Sequence, residues 1–302
     1  MLEPNVLLIK PSSSVFLKSE RTRLYFLKKL RENIKCALNR NNIEFERLVF
    51  GRLRMFLYAK DLESCAKVLQ KVFGLHAVAL AYELKFSELS ELVEKAVSFF
   101  EGRFRKQDSF AVDCSRVGMH YFSSQEVERK VGANIVRKYG LKVNLKNPDK
   151  TLHVEIHNDR AYFYVDEVKC FGGLPTGVEG CVAMLFYGKE EELACAWLLL
   201  RKGCNVFPVV KGPEEKVERI VKHLIPWNAY RKFILSKEEE LEELINKYNI
   251  IALATADRET TKEAFANYKE FDSKKELAVL RPLLFYDKEM LEELIRRVKS
   301  ER

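Results

Sequence analysis

The sequence predicts an α/β protein in three successive blocks: a ferredoxin-like N-terminal block, a second mixed α/β block, and a Rossmann-like three-layer α/β/α block. Three observations predict this. Apolar periodicity alternates between strand-like and helix-like stretches along the whole chain. The first block has the order β-α-β-β-α-β, the split βαβ arrangement. The last block repeats strand then helix, which implies a parallel sheet covered by helices. With 302 residues there is enough chain for two or three domains with ordinary cores.

In the first block, residues 1–75, Asn5–Lys10 is a short apolar run. A helix is expected from about Ser19, where Leu24, Leu27, Leu30, Ile34 and Leu38 fall on one stripe at spacings of three and four. Glu44–Phe50 and Arg52–Tyr58 read as strands punctuated by Gly51. Asp61–Phe73 returns to helical spacing, and Leu75–Leu84 is strand-like again. The second block, residues 76–169, opens with a helical apolar face over Phe86–Phe100 and an alternating strand at Ser109–Ser115. Ser123 and Glu126 have the spacing of a capping box and open a helix to about Tyr139, closed by Gly140. Strands at Leu152–Ile156 and Ala161–Val168 flank the turn pair Asn158–Asp159. The glycine-rich run from Phe171 to Gly177 reads as a linker, residues 170–180. In the third block, residues 181–302, Cys181–Phe186, Glu190–Lys202 and Cys204–Val210 form strand, helix, strand. Pro213 suits the first helical position of the next helix, and Glu238–Tyr248, Ile250–Thr255 and Asp287–Val298 continue the alternation.

Apolar residues at 47% and charged residues at 32% indicate a soluble globular protein. No apolar run reaches the ~18 residues of a membrane helix, and the start has no basic segment before an apolar stretch, so a secreted or membrane protein is excluded. The seven cysteines form no CxxC pair, which argues against a disulfide framework or zinc ribbon and for reduced thiols in the cytoplasm. His153 and His157 could share one side of a strand, but no third ligand stands at convincing spacing, so no metal is expected. The net charge of +8 is asymmetric: residues 1–60 alone carry +8, residues 1–170 carry +9, and the remainder carries −1. Such an excess fits a polyanionic partner or a solvated basic face, and charge alone does not decide between them.

Several segments carry a more specific signal: Arg23–Leu30, Lys71–His76, Ser123–Ile135, Gly172–Gly177, Leu200–Cys204 and Leu280–Glu289. In this order and spacing the chain resembles the tRNA 4-thiouridine synthetases (tRNA sulfurtransferases). The resemblance implies a ferredoxin-like domain, a tRNA-binding THUMP domain, and an ATP-pyrophosphatase domain of the PP-loop type with an adenine nucleotide α-hydrolase-like fold. It also implies a phosphate loop, Ser-Gly-Gly-(Phe/Ile)-Asp-Ser, after the first strand of the third domain. Here that stretch is Tyr187, Gly188, Lys189, Glu190, Glu191 and Glu192. One glycine survives and three carboxylates fill the second half, where a phosphate cradle needs small residues and open backbone N–H groups. A second motif of the family, Thr-Gly-Asp-Ser-Leu-Gly-Gln, keeps only Thr255 and Asp257. The sulfur-carrying cysteine of the family follows the segment matching Leu280–Glu289, yet no cysteine lies beyond Cys204. Cys195 and Cys204 sit on apolar stretches and read as small buried hydrophobes.

The expectation is therefore a tRNA-binding protein with a degenerate nucleotide loop, no catalytic residues and no cofactor. The residues expected to face RNA are Arg21, Lys28, Arg31 and Lys35 on the first long helix, Arg52 and Arg54 on one strand face, and Arg116, His120, Phe122, Ser123 and Ser124 around the capped helix start. Arg129, Lys130, Arg137 and Lys138 extend that helix. By the resemblance, the tRNA 3′ acceptor end is the expected contact. Phe122 has two readings, a ring stacked on an unpaired base or a hydrophobic staple. The alternatives are an active sulfurtransferase using ATP and magnesium at an altered site, a THUMP-type RNA methyltransferase, and a structural partner that forms a homodimer. The methyltransferase reading needs its glycine-rich loop after the third block's first strand, whereas Gly172–Gly180 precedes it.

Overall fold

Fully buried Val6, Leu7, Leu8 and Ile9 open the chain as a central strand. The structure, a computed structural model, describes residues 2–51, 53–230 and 232–300. In chain order the first elements are β1 (Val6–Pro11), α1 (Ser13–Phe16), α2 (Glu20–Arg40), β2 (Arg47–Phe50), β3 (Met55–Tyr58), α3 (Leu62–Leu69) and β4 (Leu75–Lys85). Next come α4 (Leu89–Phe100), β5 (Ser109–Val117), α5 (Ser124–Tyr139), β6 (Lys142–Val143), β7 (Lys150–His157), β8 (Arg160–Tyr164) and β9 (Val168–Lys169). The last stretch holds β10 (Cys181–Phe186), α6 (Glu191–Arg201), β11 (Asn205–Val210), α7 (Glu214–Leu224) and β12 (Ser236–Lys237). It ends with α8 (Leu241–Tyr248), β13 (Ile250–Ala254), α9 (Lys262–Ser273), β14 (Ala278–Leu280) and α10 (Lys288–Lys299). These elements divide into two compact units, one of residues 2–11, 43–70 and 77–169, the other of residues 12–42, 71–76 and 170–300.

The first unit is built on one sheet of order β2-β3-β1-β4-β8-β7-β5-β6, with β9 added to β4. Strands of the first two sequence blocks thus share a single sheet, joined where β4 pairs antiparallel with β8. Val127, Val131 and Ile135 recur every fourth residue of α5 and so face one way. They pack with Leu92 and Phe100 of α4 on Phe110, Leu152 and Phe163 of the sheet. Ser123 caps α5, its hydroxyl accepting from the Glu126 N–H at 3.1 Å. The Glu126 carboxylate, however, pairs with Lys130 rather than closing the expected capping box. Gly140 ends the helix at φ +68°, as a left-handed cap requires.

On this sheet the Glu155 carboxylate is buried yet ionised. It takes Arg54 in a bidentate pair at 2.9 and 3.1 Å and the Tyr164 hydroxyl at 2.7 Å. Lys10 approaches to 3.5 Å and His157 to 3.6 Å. Burial alone would raise this carboxyl, but hydrogen bonds from His157, Arg54 and Tyr164 hold it far below the usual carboxylate range. Arg54 lies in the β2–β3 hairpin, held by Glu155, which corrects its expected place on a strand face. Arg52 lies outside the described residues. His153, the other histidine of β7, bonds Asp113 at 3.0 Å and stacks on Tyr164.

The second unit carries a parallel sheet of order β12-β11-β10-β13-β14. Helix α6 is buried from Glu192 to Leu200, so it is a central helix rather than an amphipathic one. Trp197 on α6 meets Phe73 and Trp227 at ring distances of 5.3 and 5.5 Å, an aromatic knot at the centre of the core. Helix α2 belongs to this unit: Asn33 donates to the Thr176 carbonyl at 3.0 Å, and Arg40 donates to the carbonyl of Asn228. The glycine-rich segment after β9 is anchored rather than slack. A side chain at Gly173 would meet the Arg201 carbonyl at 2.3 Å, and the Leu174 N–H donates to that same oxygen. Three local expectations are corrected. Pro213 is the cap preceding α7 and not its first residue, β5 runs on to Val117, and helix α9, unseen in the sequence, follows its cap Thr261.

Removing one partner of a buried ion pair leaves the other charge uncompensated. Arg54→Ala is expected to destabilise the protein by about 3 kcal/mol in urea unfolding. Because the Glu155 carboxyl is depressed by folding, its contribution is present at neutral pH and fades as the pH falls below the ordinary carboxylate range. A loss under about 0.5 kcal/mol would show that the pair is dispensable.

Candidate functional site

Strands β11 and β13 lie on opposite sides of β10, so the chain reverses its direction of travel across the sheet there. In open α/β sheets such a switch point forms the ligand crevice, outside the carboxyl ends of the strands. The loops after β10 and β13 here enclose a cleft of about 520 Å³ lined by Tyr187, Lys189, Glu191, Glu192, Thr255 and Asp257, with Tyr268 of α9 on its far wall.

The loop after β10 has the geometry of an anion nest. Gly188 has φ +86°, and the backbone N–H groups of Tyr187, Gly188 and Lys189 converge on one point. That point is occupied by the Glu192 carboxylate, which accepts all three at 2.7, 3.0 and 3.1 Å. Glu192 is only 1% exposed. Burial lifts its carboxyl above the ordinary range, while the three N–H groups favour the ionised form. Its neighbours are engaged differently. Glu190 precedes α6 and pairs with Lys299, and Glu191 lines the cleft. Across the cleft the Thr255 hydroxyl donates to Asp257 at 2.7 Å, and Arg281 bonds Asp257 at 3.3 Å and clamps Asp272 at 2.7 and 2.9 Å. The Cys195 thiol is fully buried on α6, donates to the Thr255 carbonyl, and is pushed up by burial; Cys204 is pushed up to about 11. Neither resembles a low-pKa nucleophile.

The residues expected to meet RNA fall in both units. Arg21, Lys28 and Arg31 are exposed on α2 and Lys35 is half-buried there, all in the second unit. In the first unit Arg116 is half-buried near the end of β5, not beyond it. Ser123 is consumed as the helix cap and Ser124 begins α5. Arg129 is exposed, Lys130 is exposed but pairs with Glu126, Arg137 bonds Asn134, and Lys138 pairs with Glu101. His120 Nε2 contacts the Asn158 carbonyl at 2.7 Å.

Phe122 is 4% exposed and packs against Phe86. Its ring is buried among apolar neighbours rather than offered to solvent. The exposed ring of this corner is Tyr121, 72% exposed, edge-on to Phe122 at 5.1 Å. Its hydroxyl accepts from the Leu89 N–H at 3.0 Å and lies 3.3 Å from Glu88. The sequence reasoning missed it. The signal was the hydroxyl, which makes tyrosine the better of two adjacent rings for a half-wet position.

Residues 6–79 match the ThiI ferredoxin-like domain, and residues 86–166 match the THUMP domain. Two successive segments of the chain thus match a ThiI ferredoxin-like domain and a THUMP domain. The chain is related to the tRNA sulfurtransferases. It is 27% identical to the "tRNA sulfurtransferase" of Blochmanniella pennsylvanica over 98% of this chain and 68% of that one. It is 32% identical to the "Probable tRNA sulfurtransferase" of Methanocaldococcus jannaschii over 78% of this chain and 65% of that one. A 34% match to the Methanobrevibacter smithii relative covers 63% of this chain and 49% of that one, so the match spans about half to two thirds of these relatives' length. In fold, the THUMP protein is similar to PH1313 from Pyrococcus horikoshii, with a TM-score of 0.85, 24% identity and coverage of 98% and 100%. It is also similar to a 4-thiouridine synthetase solved with RNA and bound ATP, with a TM-score of 0.81, 20% identity and coverage of 98% and 85%.

Emptying the nest provides a test of its geometry. Glu192→Ala leaves three buried N–H groups without an acceptor and is expected to destabilise the protein by about 2 kcal/mol. Millimolar inorganic phosphate should restore part of that loss in the variant and leave the native protein's melting temperature unchanged. Equal phosphate responses in both proteins would mean that Glu192 does not fill the nest.

Proposed function

We propose that this THUMP protein binds tRNA at its unpaired 3′ acceptor end and performs no ATP-dependent thiolation of its own. The observation that carries the second half of this reading is the Glu192 carboxylate seated on the N–H groups of Tyr187, Gly188 and Lys189. A nucleotide phosphate would have to displace a buried group of its own sign from those donors. No cofactor is then required, and the protein works by holding tRNA, in support of a modification enzyme or of an assembly.

The binding half rests on charge and kinship. Residues 1–170 carry +9 and the rest −1, the relatives are named for a reaction on tRNA, and a solved protein of the same fold was crystallised with RNA. Exposed Arg21, Lys28 and Arg31 on α2 and Arg129 on α5 offer phosphate contacts, and Tyr121 offers a fixed ring for an unpaired base.

The test uses the full chain. Binding of unmodified tRNA should weaken steeply with salt, and Lys28→Ala should lower the slope of log K against log salt by about 0.9, the value per phosphate contact on a B-form duplex. Incubation with tRNA, ATP and magnesium should release no pyrophosphate. Reproducible tRNA-dependent pyrophosphate release would favour the alternative, an active sulfurtransferase with an altered nucleotide site.

A further inference from the structure

The sheet of the first unit ends at β6, and β6 is short. It pairs with β5 at Ser109 and Phe110. The Asn144 N–H then donates to the Phe110 carbonyl, so Phe110 turns its backbone groups toward β6. Backbone direction alternates along a strand, and Val112, Cys114 and Arg116 therefore present their N–H and C=O groups on that same side, away from β7. Among the described residues no strand pairs with them there. The Cys114 N–H is covered by the Glu128 carboxylate of α5 at 2.9 Å. The rest of this edge is a template for another strand.

Beside this edge lies a groove of about 550 Å³ between α5 and the start of β5. Its walls are apolar: Val112, Val136, Val143 and Leu145 line it, and Leu145 is 79% exposed. Gly132 of α5 lines it too. A glycine inside a helix weakens that helix relative to alanine, yet a side chain here would meet nothing within 4 Å. Packing within the chain therefore does not demand this glycine, and its effect is to leave room for an incoming backbone. Arg129 and Arg137 stand exposed on the helix wall, and exposed Lys142 and Lys146 flank Val143 and Leu145 in sequence. The one acid lining the groove, Glu128, is already engaged by Cys114. Nucleic acid would use these cations but finds no open ring for a base, since the lining aromatic, Phe110, is 1% exposed. A second copy of the chain would set the cations against their own likeness. An extended peptide with apolar side chains at alternate positions and carboxylates at its ends satisfies edge, groove and cations together. We infer that a partner protein docks here by adding such an acidic, apolar strand to β5 between Val112 and Arg116, alongside α5. The inference goes beyond tRNA binding and does not depend on it.

The experiment titrates the full-length protein into a panel of short labelled peptides that alternate Val, Ile or Leu with Thr and carry Asp or Glu at both ends, with fluorescence anisotropy as the readout. The expected result is saturable one-to-one binding of at least one peptide. N-methylation of the alternate peptide nitrogens that face β5 should weaken that peptide about tenfold by removing ladder donors, and methylation of the other set should not. Gly132→Leu should obstruct the groove and weaken the same peptide about tenfold, while the better helix former holds or raises the melting temperature. Should Gly132→Leu fail to fold, the methylated peptides alone decide. No saturable binding across the panel below millimolar concentration overturns the proposal. So does an affinity that neither methylation nor Gly132→Leu changes. A dimer in sedimentation equilibrium that Gly132→Leu dissociates assigns the groove to a second copy and overturns it. Binding of single-stranded oligouridylate that Gly132→Leu removes, with no peptide bound, assigns the groove to RNA and overturns it equally.

Discussion

Three backbone N–H groups at the head of α6 point at one carboxylate, and that carboxylate belongs to the same chain. A loop between a central parallel strand and a buried helix leaves its N–H groups facing inward, where they must find an acceptor. An enzyme can leave them for a phosphate and water. Here Glu192, the second residue of α6, folds back and accepts all three. The cleft beside the nest keeps its place at the switch point of the sheet, but its charged lining is dominated by Glu191, Asp257 and Glu259 against Lys189 and Arg258. The switch-point cleft thus carries more carboxylates than cations, and its N–H nest is filled from within the chain.

The first unit shows the opposite economy of charge. Among its described residues the one deeply buried carboxylate, Glu155, is ringed by Arg54, Lys10, His157 and Tyr164, so these cations are spent on the fold. What remains for a partner is peripheral: Arg47 on its hairpin, Arg129 on α5, and Tyr121 on a loop pinned by its own hydroxyl.

Strand and helix order was legible wherever burial is one-sided. Val127, Val131 and Ile135 announce α5, and the continuous apolar run Cys181–Phe186 announces a doubly covered strand. Helix α9 escaped because only Ala264 of its twelve residues is buried, which leaves no stripe to detect. The stripe of α2 was visible from Leu30 to Leu38, although Leu24 proved exposed, and nothing in a stripe says which unit a helix joins: Asn33 and Arg40 of α2 bond Thr176 and Asn228 of the second unit. The site was half legible. A run of carboxylates at a helix start suggested a self-satisfied terminus, but only the folded loop distinguishes Glu192, turned into the nest, from Glu190, turned out to Lys299. The ion pair of Arg54 was hidden for a related reason: its partner Glu155 lies 101 residues away. The choice between Tyr121 and Phe122 was likewise a question of facing, which neighbouring rings in a loop do not reveal without the backbone.

The central claim is that a side chain of the protein holds the position a nucleotide phosphate would take. Calorimetric titration of the full-length protein with ATP, in the presence of magnesium and of saturating tRNA, tests it most directly. The account predicts no saturable heat below millimolar ATP. A saturable isotherm in the micromolar range, with one nucleotide bound per chain, would contradict it.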